Sequence, residues 1–436
     1  MGSQDAFMLG DQWRTMMRLL PDDLEQSALQ TGALSRKRQV RDAQTLIRLI
    51  LAYCYLDLSL RDVSAWAQQA GVAQLSDVAI LKRLRGAADW VAHLVGQELA
   101  QRGLACVDQE APAAKGRRLR VMDASTVVAP GSCPTTKGHD GRDWRVHLSL
   151  SLLPLRVDEV HLTDWTGGES LSRFELSKGD ICLCDRGYAH RAAIAAVVAA
   201  GADVIVRLPW KNLPLLDVAE EAAGEGGPGQ PFDILGRVDE RLRTASAGAV
   251  CEFDVQTAPD PKNGVPAVRG RLVAVKKSAE AAERARREAR AKARTHGRTL
   301  DERTLAACDY VFVFTTLPAD EFDQEFDHEF DHGFDATQIL ALYRLRWQVE
   351  LCFKRLKSII GLEQLRAKDP QLARTYLMGK LLTALFVDGL AHRWLGFSPW
   401  DSRDYHGPFE HFEHYESRSN YTETRRNRRD QLPAIV

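Results

Sequence analysis

The spacing of apolar residues changes several times along the chain, and each change marks a different kind of element. Over roughly the first 110 residues apolar positions recur at helical steps between capping signals. Ser59-Leu60-Arg61-Asp62 has capping-box spacing and predicts a helix running to Ala70, where Gly71 breaks it. Ser76 caps a second helix that carries Lys82, Arg83 and Arg85. From about residue 115 the pattern shifts to short, unbroken apolar runs, which predict buried strands. Arg118 to Asp123 (RLRVMD), Ile181 to Asp185 (ICLCD) and Asp203 to Leu208 are such runs, and the first two end in an acid. Ala124-Ser125-Thr126 is expected to turn the chain out of the first, and Gly187 to allow a tight turn after the second. Further β-like stretches at Ala249 to Val255, Val268 to Val275 and Tyr310 to Thr316 bracket Lys276 to Arg303, an alanine-rich run with ten Lys or Arg and five Asp or Glu.

The segment Ala336 to Ile360 has helical periodicity throughout and reads as one helix, with Asp335 as its N-cap and Gln338 at the capping-box position. At about 100° per residue, Tyr343, Arg346, Glu350 and Lys357 fall within an arc of about 60°. One face therefore carries a phenol, two cations and a carboxylate. That set suits phosphate chemistry, because a carboxylate can hold a divalent metal while Arg and Lys take phosphate charge beside it. Pairing of Glu350 with Arg346 and Lys354 at i,i+4 spacing would instead make a solvated salt-bridge stripe. Leu340, Leu342, Leu345, Trp347, Val349, Leu351, Phe353 and Leu356 are apolar nearly all round, which suits a buried helix better.

With 436 residues, 45% hydrophobic and 27% charged, the chain is long enough for two or three domains and ordinary for a soluble protein. There is no cleavable leader pattern, and the longest apolar run, Ala192 to Val206, is broken by Gly201 and Asp203 and too short to span a bilayer. A cytoplasmic protein without membrane contact is the expectation. Eight cysteines show no C-x-x-C spacing, and Cys182 and Cys184 alternate within an apolar run, as packing residues would. The net charge of −1 hides a basic remainder. Glu321 to Asp335 (EFDQEFDHEFDHGFD) holds seven acids and no Lys or Arg, and without those seven acids the balance becomes +6. Its four-residue repeat reads as a surface loop expanded by slippage.

The stretch YRLRWQVELCFKRLK resembles the signature of bacterial insertion-sequence DDE transposases of the IS-four type (Y, two residues, R, three, E, six, K) at every fixed position. The resemblance implies a ribonuclease-H-like core, a mixed β-sheet flanked by helices, interrupted by a β-rich insertion and preceded here by an α-helical N-terminal domain. It makes Glu350 the third member of an Asp, Asp, Glu triad and calls for two upstream acids at strand ends. Asp123 and Asp185 are present in that order, the latter opening the motif DRGY (Asp185 to Tyr188). Either Asp alone would more readily be an N-cap or Asx-turn, but the pair in family order reverses that judgement. Glu169, in Thr166-Gly167-Gly168-Glu169-Ser170, is the one rival for the third carboxylate, and it lacks a cationic helix face.

By the same resemblance, Asp123, Asp185 and Glu350 hold two Mg²⁺ or Mn²⁺ ions for cut-and-paste DNA transposition. The partners it implies are double-stranded DNA, both the terminal inverted repeats and the target, and a second copy of the chain in a synaptic homodimer. Tyr343, Arg346 and Lys357 would meet phosphate, as would Arg145, Arg186 and Tyr188, whereas His147 reads as a core histidine. Trp210, in the run R-L-P-W-K, stands where hairpin-forming relatives use an aromatic to support a flipped base, or it simply packs. The organisation expected is helical over 1–110 with a role in DNA binding, a first core segment over 115–208, the insertion with its basic helix over 209–318, the acidic loop over 319–335, the second core segment over 336–395, and a polar tail over 396–436 expected to be disordered. The first two capped helices also resemble a helix-turn-helix, with the aliphatic residue after the turn displaced to Val78, although a plain helical bundle fits equally. A domesticated DNA-binding regulator and a ribonuclease-H-like host nuclease are the alternative functions.

Overall fold

The N-terminal helices start where the sequence supplies side-chain caps. The structure, a computed structural model, describes residues 17–35, 37–106, 115–130, 143–152, 155–218, 229–319, 333–362 and 365–395. Most of the acidic repeat (through residue 332) and all of the tail over 396–436 lie outside the described residues. Helix α1 spans Leu24–Gln30, α2 Ala43–Cys54, α3 Leu60–Gln69, α4 Asp77–Gly86 and α5 Ala88–Cys106. Asp42 accepts from the Thr45 amide, Ser59 and Asp62 form the expected capping box, and Ser76 accepts from the Ala79 amide. Gly71 closes α3 at φ +63°, a left-handed conformation that glycine adopts without strain.

Among the described residues nine strands form one sheet: β1 Leu119–Val127, β2 Trp144–Leu152, β3 Leu155–Asp164, β4 Ile181–Cys184, β5 Asp203–Arg207, β6 Leu215–Asp217, β7 Val250–Thr257, β8 Arg269–Lys276 and β9 Tyr310–Thr315. Their order is β3-β2-β1-β4-β5-β9-β8-β7-β6. β1, β4 and β5 run parallel, and every other pairing is antiparallel. The strands of the expected insertion therefore extend the core sheet through β9, which pairs with both β5 and β8. Helix α6 (Arg191–Ala199) connects β4 to β5, followed by α7 (Ile234–Leu242), the basic α8 (Ala279–Thr295), α9 (Glu302–Ala307), α10 (Ala336–Arg344), α11 (Trp347–Ile360) and α12 (Pro370–Leu395).

Two expectations need correction. The chain does not turn at Ala124 to Thr126: β1 continues to Val127 because β2 keeps pairing with it, through Val127 opposite Trp144. What ends after Met122 is only the parallel pairing of β1 with β4. Nor is 336–360 one helix. It divides after Arg344, and Arg346 becomes the N-cap of α11 at φ −55°, ψ −31°. No glycine or proline marks the break. The two segments rest on different parts of the sheet, α10 against β5, β7 and β8, and α11 against β1.

Both faces of the sheet are covered, which is why β4 is buried along its whole length. Ile181 and Leu183 join the core made with the N-terminal helices and α10 to α12, while Cys182 and Cys184 join the core made with α6 and α7. The cysteines are buried free thiols, as packing residues should be. Helix α12 lies along α2, α4 and α5, so the N-terminal helices share a core with the second half of the chain. Gly379 permits this approach, since a Cβ there would lie 2.6 Å from Cys54 Sγ.

Ion pairs fix the amino ends of the parallel strands. Arg120, 2% exposed, pairs with Asp158 at 3.0 Å, Glu159 at 2.8 Å and Asp180 at 3.3 Å, and Arg117 meets Asp203 at 2.6 Å. With the register set there, the residues following the last paired positions of β1 and β4 are placed side by side.

Candidate active site

Met122 opposite Cys184 is the last pair of the β1–β4 ladder, and the next residue on each strand is an acid. Asp123 and Asp185 thus emerge side by side from neighbouring strands. Helix α11 packs on β1 and brings Glu350, in its first turn, to the same place. An acid in a first turn is also favoured by the helix dipole.

Arg346 ties the group together. Its Nη2 lies 2.5 Å from Glu350 Oε1, and its Cζ stands 5.8 Å from the centre of the Tyr343 ring. Burial works against the guanidinium charge, but Tyr343, Glu350, Asp185 and Asp123 together hold it firmly protonated. Burial likewise pushes the Asp123 carboxyl up to about 7; Arg346 and the Ala124 amide, 2.8 Å away, oppose the rise, while Asp185 and Glu350 add to it. Asp185 Oδ1 is buried without a hydrogen-bond partner. Burial raises the Tyr343 phenol to about 12, so it remains a neutral hydroxyl at physiological pH.

This donor set fits a divalent cation. An orphaned carboxylate oxygen, and a second carboxylate held near half-protonation by burial and two like charges, are what a hard cation would satisfy. Among the described residues, no three His, Cys, Asp or Glu side chains already close on one point at ligation distance. The positive charge among the three acids is the Arg346 guanidinium.

The other expected residues divide into those beside the three acids and those that support the surrounding structure. Lys357 is half-buried in the last turn of α11, about 10 Å along the axis from Glu350. Arg186 is exposed, and no hydrogen bond or ion pair holds it among the described residues. Tyr188 is fully buried in the 3₁₀ turn after Asp185, with its hydroxyl unpartnered, so it supports that turn and is not open to a phosphate. Arg145 donates from Nη1 to Gly167 O at 2.9 Å and braces the loop after β3. His147 is a core residue with Nε2 3.0 Å from Thr163 Oγ1. Trp210 is half-buried against the second core, with Lys211 Nζ 4.5 Å and Arg303 Cζ 5.2 Å from its ring centre. Arg207, which the sequence reading passed over, ends β5 close enough to act on Tyr343; its strand-end position, shared with Asp185, was the available signal.

The sequence profile of the transposase DDE domain matches residues 114–386, enclosing all three acids. The chain belongs to the DDE transposases. It is 37% identical over 394 residues to the putative transposase InsL for insertion sequence element IS186A of Escherichia coli K12, a match covering 89% of this chain and 96% of that protein. The transposase for insertion sequence element IS421 of Escherichia coli is 37% identical over 395 residues, with the same shares. This transposase is therefore an enzyme of the insertion-sequence type, consistent with IS-four membership, and its DDE domain implies the ribonuclease-H-like core seen in the mixed sheet with helices on both faces. Among the described residues no helix of the transposase is long and apolar enough to cross a membrane.

Proposed function

We propose that this transposase moves its element by cut-and-paste, with Asp123, Asp185 and Glu350 holding two Mg²⁺ or Mn²⁺ ions at the scissile phosphate. The observation that carries the reading is the convergence of the three acids at the end of the β1–β4 pairing, with Asp185 Oδ1 unpartnered. Bound divalent ions would lower the pKa of the attacking water and neutralise charge on the reacting phosphate. Arg346 exchanges part of its contact with Glu350 for a phosphate oxygen, and its planar fork can serve both. Tyr343, buried beneath it, supports the guanidinium with its ring, so its part in holding the phosphate is through Arg346. Lys357 and Arg186 hold neighbouring phosphates on either side and fix the strand for in-line attack.

Hydrolysis frees a 3′-OH, which attacks the opposite strand to form a hairpin and expels the 3′ oxygen of the flanking DNA; a second hydrolysis opens the hairpin and regenerates the 3′-OH, which then attacks target DNA and expels a target 3′ oxygen. Trp210 stacks on the base displaced by the hairpin, and its cationic neighbours Lys211 and Arg303 meet the adjoining phosphates. A Trp210→Ala variant that still forms and resolves hairpins normally would remove that role. The reading includes terminal-repeat recognition by α4 and pairing of two ends by a homodimer. Three acids close enough to feel one another argue against a non-catalytic regulator. A host nuclease would cut without joining, so incubation of a precleaved end with plasmid and Mg²⁺ separates the two: joined product supports the transposase reading, and cutting alone opposes it.

A further inference from the structure

Gly187 is a glycine for a reason that its backbone does not supply. Its φ is not in the left-handed region, and the 3₁₀ turn of Arg186–Tyr188 would accept other residues. The space beside it is what is taken: a Cβ on Gly187 would lie 1.5 Å from Glu169 Oε2 and 2.8 Å from Glu169 Cδ. The Glu169 carboxylate therefore rests directly on the turn that follows Asp185.

The loop carrying Glu169 is braced to keep it there. Arg145 donates to Gly167 O at 2.9 Å, Arg173 donates to Gly168 O at 3.2 Å, and a Cβ on Gly167 would meet Thr163 Oγ1 at 2.2 Å. Yet Glu169 itself is half-buried and makes no hydrogen bond or ion pair among the described residues. It lies near enough to Asp185, Arg145 and His190 to feel their charges. Beneath lies the Tyr188 hydroxyl, fully buried, unpartnered, and near enough to feel both Asp123 and Glu169. The Glu169 carboxylate against Gly187, the unpartnered Asp185 Oδ1 two residues before that glycine and the unpartnered Tyr188 hydroxyl after it are three oxygens at one turn that a cation would satisfy.

We propose that Glu169 is a fourth acid of this centre, joining Asp185 in holding one of its divalent cations, and that Gly187 is the residue that makes room for it. The proposal rests on the metal-binding reading of Asp123, Asp185 and Glu350. Glu169 does not replace Glu350: the two approach from opposite sides, one from the loop after β3 and one from α11. The Tyr188 hydroxyl then donates to the Glu169 carboxylate or to water beside it.

The test uses the full-length protein without DNA and Mn²⁺ as the probe, with free Mn²⁺ followed by electron paramagnetic resonance. Glu169→Gln is expected to weaken one Mn²⁺ site about tenfold. Gly187→Ala should do the same, because the added methyl displaces only the flexible end of Glu169. Melting temperatures within about 2 °C of wild type separate a lost ligand from a lost fold. Should both variants take up Mn²⁺ like wild type while Asp185→Asn loses it, the fourth acid is refuted and the three-acid site stands. Should Asp185→Asn also titrate like wild type, the metal reading itself fails and this proposal with it.

Discussion

At the scale of single residues, Arg346 explains how three acids can share one cleft. Its guanidinium lies 2.5 Å from Glu350 and moderates the rise that burial imposes on Asp123. Lysine could not replace it, since an ammonium cannot present a planar fork to a carboxylate and a phosphate together. His147 allows a pH test outside this centre. Burial first, then Arg173 and Arg145, push its imidazole down to about 3. Because the folded value lies below the ordinary one of about 6.5, the unfolded chain takes up the proton first, so the contribution is complete above about 6.5 and is lost as pH falls toward 3. Urea unfolding should show about 2 kcal/mol less stability at pH 5 than at pH 7 from this residue, and His147→Gln should lack that part of the loss. Equal pH dependence in both proteins would contradict it.

At the scale of elements, what was legible in the sequence followed from local rules. The caps at Ser59, Ser76 and Asp335 appear as the spacing indicated, and the acid-ended apolar runs are β1 and β4. Asp335→Ala, which removes the capping box of α10, should cost about 1 kcal/mol in a urea midpoint measured in the full chain, and an unchanged midpoint would show the cap to be idle. What was not legible depended on partners distant in sequence. The continuation of β1 past Asp123 is set by β2, and the break at Arg346 by the different sheet regions under α10 and α11. The four side chains that one helix would place on one face are divided by the break, with Tyr343 before it and Glu350 and Lys357 after it. Gly187 suggested a turn; the carboxylate of Glu169 beside it, 18 residues back along the chain, could be seen only once the loop after β3 was in place.

At the scale of the whole molecule, the N-terminal helices are fastened to α12 at Asp57. This residue sits at φ +54°, accepts from Tyr376 Oη at 2.6 Å, and lies 3.2 Å from Lys380 Nζ, whose side chain is 1% exposed. Asp57→Ala takes away the acid that Lys380 and Tyr376 share and should cost about 1–2 kcal/mol, since Lys380 is buried while Asp57 is 36% exposed, whereas Lys380→Met should cost less, because a well-packed apolar group leaves no buried charge behind. Equal losses in urea unfolding would argue against that account. The joint also means that α1 to α5 should unfold together with the sheet, so recognition of terminal repeats is best tested in the full chain. Lys82→Ala, on the exposed side of α4, should lower the salt dependence of binding to an end by about one phosphate contact, and an unchanged slope would take α4 out of the interface. The central claim is that Asp123, Asp185 and Glu350 form one metal-dependent cutting centre, and the most direct measurement is cleavage of an end-containing duplex with Mg²⁺ by the wild type and by Asp123→Ala, Asp185→Ala and Glu350→Ala. The account predicts cutting by the wild type and none by any of the three folded variants; cutting retained in any one of them would contradict it.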